Sequence, residues 1–131
     1  MAQASRVANF EDLRVFQSAK ELTIRIYKIT KEDPFGRDFA LKDQIQRAAV
    51  SILSNIAEGF ERGTNADFIR FLYISKGSCS EVRAQLIVAK SLQYINQRTF
   101  EDLTTLCRSV SSMIWSFINY LKRSPYPGPK F

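Results

Sequence analysis

The stretch NIAEGFERG, residues 55–63, brings an amide, two carboxylates, a guanidinium and two glycines to the end of a long apolar run. A carboxylate near an amide is the raw material of acid–base chemistry, and glycine lets a ligand approach backbone. Neither use finds a partner in this chain. It contains no histidine, which removes the commonest general base and metal ligand. The Glu-x-x-His pattern of di-iron bundles and a Cys–His nucleophile pair are therefore excluded. Cys79 and Cys107 each stand alone in an apolar pattern, as small core residues do. No glycine-rich phosphate loop and no cluster of metal ligands is present. The sequence predicts no catalytic residue, no metal, no cofactor and a non-enzymatic protein.

Helix termination accounts for the stretch more simply. Glu58 falls in a last turn, the end of the helix dipole that disfavours an anion. Arg62, four residues later, is placed to offset it. Gly59 or Gly63 can take the left-handed conformation that ends a helix. Folding this helix back on the next about residues 62–63 brings Ala48 and Ser51 toward Ile74, Gly77 and Ser78. The same hairpin carries Asn55 toward Arg70 and Phe71, and Gln44 and Arg47 toward Glu81. The expected structural motif is thus Arg47, Ser51, Asn55, Glu58, Gly59, Gly77 and Glu81. In it Arg47 meets Glu81, Asn55 fixes register as a seam amide, and Gly77 allows close helix contact. That contact would offset the ~1 kcal/mol that a mid-helix glycine costs.

Four helical patterns surround the motif. The first runs over about 10–30, opened by Asn9 and Asp12 in a capping arrangement. Val15, Ala19, Leu22, Ile26 and Ile29 form its seam, with a second apolar stripe at Leu13, Phe16, Ile24 and Tyr27. Pro34 and Gly36 mark a loop. The second helix covers about 39–59 on Leu41, Ile45, Ala48, Ala49, Ile52, Leu53 and Ile56. The third follows GTNADF, capped by Thr64 or Asn65, with a seam at Phe68, Leu72, Ser75, Cys79, Val82, Leu86 and Ala89. The fourth follows NQRTFED, capped by Thr99, with Leu103, Cys107, Val110, Ile114, Phe117 and Leu121 inward. No segment alternates as a half-buried strand does. The expected fold is all-α, an up-down-up-down four-helix bundle forming one domain over residues 1–123. Residues 124–131 form a proline-rich tail that cannot continue a helix and is either disordered or an extended arm. No apolar run suffices to span a bilayer and no signal-peptide core is present, so a cytoplasmic location without membrane association is expected.

The net charge of +6, from 19 Lys and Arg against 13 Asp and Glu, favours anionic partners. Arg14, Arg25 and Lys28 share an exposed side of the first helix. Arg108 and Lys122 lie seven residues either side of Trp115. These five cations are the candidates for nucleic-acid binding, since an aromatic flanked by cations can stack a base. Trp115 is equally placed to be covered by another subunit, where tryptophan is enriched. With the second stripe of Leu13, Phe16, Ile24 and Tyr27 it forms the candidate subunit interface; the spacing leaves open which stripe of the first helix faces the core, but whichever does not is a patch that monomers seldom expose. Two functional classes follow. One is an oligomeric protein that binds RNA, DNA or a ribonucleoprotein through a basic surface. The other is an oligomeric scaffold or accessory subunit whose partner is a protein, one associated with nucleic acid among the candidates.

The segments QIQRAAVSILSNIAEGFERG, FIRFLYISKGSCSEVRAQL and FEDLRVFQSA resemble the bacterial four-helix-bundle family encoded in intervening sequences of 23S ribosomal RNA genes, over about residues 9–122. The resemblance implies a bundle that assembles as a homopentamer and carries no established enzyme activity. More distantly the chain is similar to accessory proteins of diversity-generating retroelements, basic pentamers that contact a reverse transcriptase and nucleic acid.

Overall fold

The computed structural model describes residues 7–128. Four helices build it: α1 (Arg14–Thr30), α2 (Phe39–Glu61), α3 (Asn65–Ser91) and α4 (Gln97–Arg123). Among the described residues there is no strand. Helices α1 and α3 each pack against both α2 and α4. With short connections this gives the up-down-up-down bundle that the seams require. Most of the predicted seam forms its core: Leu22, Ile26, Ile45, Ile52, Ile56, Leu72, Leu86 and Ile114 are fully buried, and on α4 Ile118 is fully buried where the sequence predicts Phe117, which is half-buried.

Side-chain caps set three of the starts. Asp38 accepts from the Leu41 N–H at 3.1 Å and opens α2. Thr64 accepts from the Asp67 N–H at 3.2 Å and opens α3, satisfying a donor the first turn leaves free. Helix α4 is capped by Asn96, which accepts from the Thr99 N–H at 2.8 Å, and not by Thr99 itself. Helix α1 starts later than expected. Phe10–Asp12 form a short 3-10 turn, the Asn9 side chain makes no capping bond, and Leu13 is extended.

That turn decides which stripe of α1 faces inward. Val15, Ala19, Leu22 and Ile26 face the core. Leu13 is also buried, at 5% exposure, because its extended backbone carries it inward rather than along the helix surface. Phe16 is half-buried, edge-on to Phe10 with ring centroids 5.1 Å apart. Leu13 and Phe16 therefore belong to the protomer's own packing and not to an outer stripe. Ile24 and Tyr27 stay exposed at 44% and 39%.

Hydroxyls join α2 to both neighbours. Thr23 of α1 donates to the Ala49 carbonyl at 3.2 Å, and Ser75 of α3 donates to the Ile52 carbonyl at 2.8 Å. Ser78 bonds Ser51, oxygen to oxygen, at 2.9 Å. Buried hydroxyls without such acceptors would be costly. As far as it is described, residues 124–128, the tail is a bent strap laid against the start of α3. Its Pro127 carbonyl accepts from the Asn65 N–H at 2.8 Å, and its Tyr126 carbonyl accepts from Asn65 Nδ2 at 2.9 Å. Residues 129–131 lie outside the described residues.

Candidate nucleic-acid interface

The outer face of the α3–α4 contact is a ladder of cations and aromatics. On α3 the positions Tyr73, Lys76, Ser80, Arg83, Ile87 and Lys90 recur at alternating spacings of three and four, so they share one side of the helix. On α4, Phe100, Thr104, Arg108, Ser111, Trp115 and Lys122, at spacings of three, four and seven, also share one side. Contacts between the two rows fix their register. Lys90 Nζ lies 5.3 Å from the Phe100 ring centre and Lys76 Nζ lies 5.7 Å from that of Trp115. Lys122 Nζ donates to the Tyr73 hydroxyl at 2.9 Å, over the same ring at 5.3 Å. Tyr73 and Trp115 meet edge to face with centroids 6.4 Å apart. Both are well exposed, at 43% and 44%.

The electrostatics set this face apart. The ion pairs among the described residues join Arg25 to Glu21, Arg37 to Asp33, Arg47 to Asp43, Arg62 to Glu58, Arg70 to Asp67 and Arg98 to Asp102. Each couples residues three or four apart. None of them includes Lys76, Arg83, Lys90, Arg108 or Lys122. The seam cations hold no carboxylate, and the Arg83 Nε is buried without a hydrogen-bond partner. Aromatic faces stabilise cations but leave their charge intact.

The five sequence candidates divide between two faces. Arg108 and Lys122 belong to the seam. Arg14 lines an apolar groove of about 620 Å³ between α1 and α4, beside Ser109, Ser112 and Phe117. Arg25 and Lys28 line a shallow depression along α1, where Arg25 is held by Glu21 at 2.7 Å. Sequence reasoning missed Tyr73, Lys76, Arg83, Lys90 and Phe100. Their signal was the three–four spacing of cations beside the apolar seam of α3.

The NIAEGFERG stretch is resolved into its parts. Glu58 and Arg62 pair at 3.0 Å, and the Arg62 guanidinium also sits 4.9 Å from the Phe71 ring centre. Gly63, with φ of +90°, makes the turn. Gly59 does not end α2; it lies inside the helix, buried against Phe68 and Phe71. Asn55 donates to the carbonyl and hydroxyl of Ser51 in its own helix, at 2.8 and 3.0 Å, and reaches α3 only through the Ser51–Ser78 bond. Arg47 does not meet Glu81. It pairs with Asp43 at 2.8 Å, because an acceptor one turn away on the same helix is nearer than one across the groove they line. Gly77 faces outward, and a Cβ built on it would meet nothing within 4 Å. The expected close contact at Gly77 therefore belongs to Gly59.

Two further side chains have a raised pKa. Tyr94 donates to the Asp38 carboxylate at 2.9 Å, which raises its pKa above the ordinary phenol value. The Cys79 thiol is pushed up by the adjacent Cys107 and by burial, so it remains a neutral core group. Among the described residues no group of three or more His, Cys, Asp or Glu could hold a metal ion, and no helix is long and apolar enough to cross a membrane.

The family profile described as 23S rRNA-intervening sequence protein matches residues 11–116. The chain belongs to this family. The matched span runs from the turn before α1 into α4, so it includes Trp115 and the α3 half of the ladder. Among solved structures, the chain is similar to a protein of unknown function from the S23 ribosomal protein family of Bacteroides thetaiotaomicron VPI-5482. The two share 26% identity at a TM-score of 0.73, over 79% of this chain and 97% of that one. No curated protein matches the chain.

Proposed function

We propose that this member of the 23S rRNA-intervening sequence family is a non-enzymatic, cytoplasmic homo-oligomer that binds nucleic acid along the α3–α4 seam. One observation carries the reading: five cations, Lys76, Arg83, Lys90, Arg108 and Lys122, none of them in an ion pair among the described residues, are gathered with exposed aromatics on a single face, whereas the other unpaired cations described, Arg14, Lys20, Lys28, Lys31, Lys42 and Arg123, lie outside it. Cations without a protein counter-charge are the ones that displace condensed counterions from a phosphate backbone. Self-association is supported by the exposed Ile24 and Tyr27 of α1, Ile74 and Val88 of α3 and Leu92 just after it, with a homopentamer the form implied by the family resemblance.

The test is a salt titration of binding to a labelled oligonucleotide. Each phosphate contact contributes a slope of about 0.7 to 0.9 in log K against log salt. The combined variant Lys76→Gln, Arg83→Gln, Lys90→Gln is expected to flatten the slope by about 2. A variant of the paired arginines, Arg25→Gln with Arg47→Gln, is expected to leave it unchanged. Equal slopes in both variants would remove the seam from the proposal. A second reading, a protein partner, is favoured by the apolar row of Ile74 and Val88 on the other side of α3 and Leu92 just after it. It predicts a partner whose binding is nearly insensitive to salt.

A further inference from the structure

We infer that the seam takes a single strand of nucleic acid rather than a duplex, with one base stacked on the Trp115 indole and the Tyr73 ring standing edge-on beside it. This rests on the nucleic-acid reading above and adds what that reading leaves open. Phosphate contacts alone would be served by cations on any flat or convex face. This seam instead has two large aromatics exposed toward one end, 43% and 44% accessible, in edge-to-face contact at an interplanar angle of 66°. A duplex keeps its base faces inside the stack and offers only edges and phosphates. It would leave both rings in water. An unpaired base offers a π-face, and every base has one.

The cations are placed to hold the strand where a base would stack. Lys76 stands 5.7 Å from the Trp115 ring centre and Lys122 stands 5.3 Å from that of Tyr73, where it also holds the phenol oxygen. The backbone of a strand stacked at Trp115 then passes within reach of two ammonium groups. From this station the ladder continues past Arg108 and Arg83 to Lys90 and Phe100. Trp115 and Phe100 are fifteen residues apart on α4, about 22 Å of helix. The seam is uninterrupted by acid over that length. Glu81 lines the groove on the α2 side of α3; Glu101 and Asp102, next to Phe100 on α4, fall outside the ladder's spacing and are engaged by Gln97 at 2.6 Å and Arg98 at 3.7 Å. A flexible strand can follow such a line, whereas a duplex would meet it only where its own curvature allows.

Trp115 is the sole tryptophan of the chain, so intrinsic fluorescence reports this station and no other. The experiment adds 12-nucleotide oligo-U, oligo-dT and a mixed-sequence 12-base-pair duplex to the full chain at low salt. It follows Trp115 emission together with the anisotropy of end-labelled strands. The expected result is quenching of Trp115 by either single strand, with affinity at least ten-fold above that for the duplex. Trp115→Ala, an exposed substitution whose fold is checked by circular dichroism, is expected to weaken single-strand binding by roughly ten-fold or more while leaving the salt slope in place. Lys76→Gln with Arg83→Gln is expected to lower the slope while the remaining complex still quenches. Duplex binding as tight as single-strand binding, with Trp115 emission unmoved, overturns the inference and leaves the phosphate reading standing. Trp115 emission that shifts to the blue with protein concentration alone overturns it too, since a second copy then covers the station. No anisotropy change with any of the three overturns the nucleic-acid reading itself.

Discussion

Two helical glycines of this bundle should respond in opposite directions to the same substitution. Replacing glycine by alanine inside a helix gains about 0.5–1 kcal/mol from backbone entropy and propensity alone. At Gly77 nothing opposes that gain, since a Cβ there meets no atom within 4 Å. At Gly59 a Cβ would lie 2.8 Å from Phe68 Cδ1 and 2.8 Å from Phe71 Cβ. The Phe71 atom is fixed to the α3 backbone. The Phe68 ring is held between Phe60 and Phe117, with centroids 6.1 and 5.1 Å away. Neither can yield without moving α3, a strain of about 1–3 kcal/mol. Gly59→Ala is then destabilising by about 1–2 kcal/mol net, and Gly77→Ala stabilising by up to about 1 kcal/mol. The assay is urea unfolding followed by circular dichroism at one fixed protomer concentration, because assembly itself raises apparent stability. A Gly59→Ala protein as stable as the wild type would refute the packing of α2 on α3 described above. A Gly77→Ala protein that loses both stability and assembly mass would show a second copy seated against that position.

Arg47 and Glu81 are expected to be energetically independent: a double-mutant cycle to alanine should give a coupling near zero. The same cycle for Arg47 with Asp43 should give about 0.3–0.5 kcal/mol. A larger Arg47–Glu81 coupling would mean that the groove between them closes in solution. Tyr94→Phe should lower stability at neutral pH by removing the bond to Asp38. Because the folded pKa of Tyr94 is raised, that bond's contribution is full below the unfolded phenol value of about 10 and is lost as pH rises through the folded one. The stability difference between wild type and Tyr94→Phe should therefore shrink above about pH 10. A difference that stays constant through that range would show that the phenol does not donate to Asp38.

The core was legible because a three–four seam has one physical reading once a helix is granted. Val15, Ala19, Leu22 and Ile26 had to share one face, although the sequence left open whether that stripe or the one through Leu13, Phe16, Ile24 and Tyr27 faced the core. Leu13 was not legible as a core residue, because the 3-10 turn that displaces it has no strong sequence mark. Gly77 shows a different failure, in which small residues on facing helices suggested a contact. The α3 seam itself argued otherwise, since Gly77 lies two residues from both Ser75 and Cys79, and residues two apart do not share a face. The half of the ladder on α4 was visible as Arg108, Trp115 and Lys122. Its α3 half was hidden because Tyr73, Lys76, Arg83 and Lys90 run beside a helix that is apolar on several sides. The distinction between paired and unpaired cations was also readable in sequence, from Glu21–Arg25, Asp43–Arg47 and Glu58–Arg62, but it took the fold to show that five of the unpaired ones, Lys76, Arg83, Lys90, Arg108 and Lys122, share one face.

The strap over the α2–α3 turn gives the molecule a second, weaker scale of stability. Asn65 opens α3, and its N–H is one of the donors that a first helical turn cannot satisfy. The Pro127 carbonyl supplies the acceptor from more than sixty residues along the chain. The strap is tethered covalently to the bundle only at the end of α4, and Pro125, Tyr126 and Pro127 stay exposed, so little buried surface accompanies the contact. The strap can lift while the seams of the bundle stay closed, so the Asn65 amide should exchange with solvent deuterium through a local opening. The Leu72 and Leu86 amides, deep in the same helix, should exchange only when the whole bundle opens. One helix would then carry both a latch at its first residue and a lock along its length.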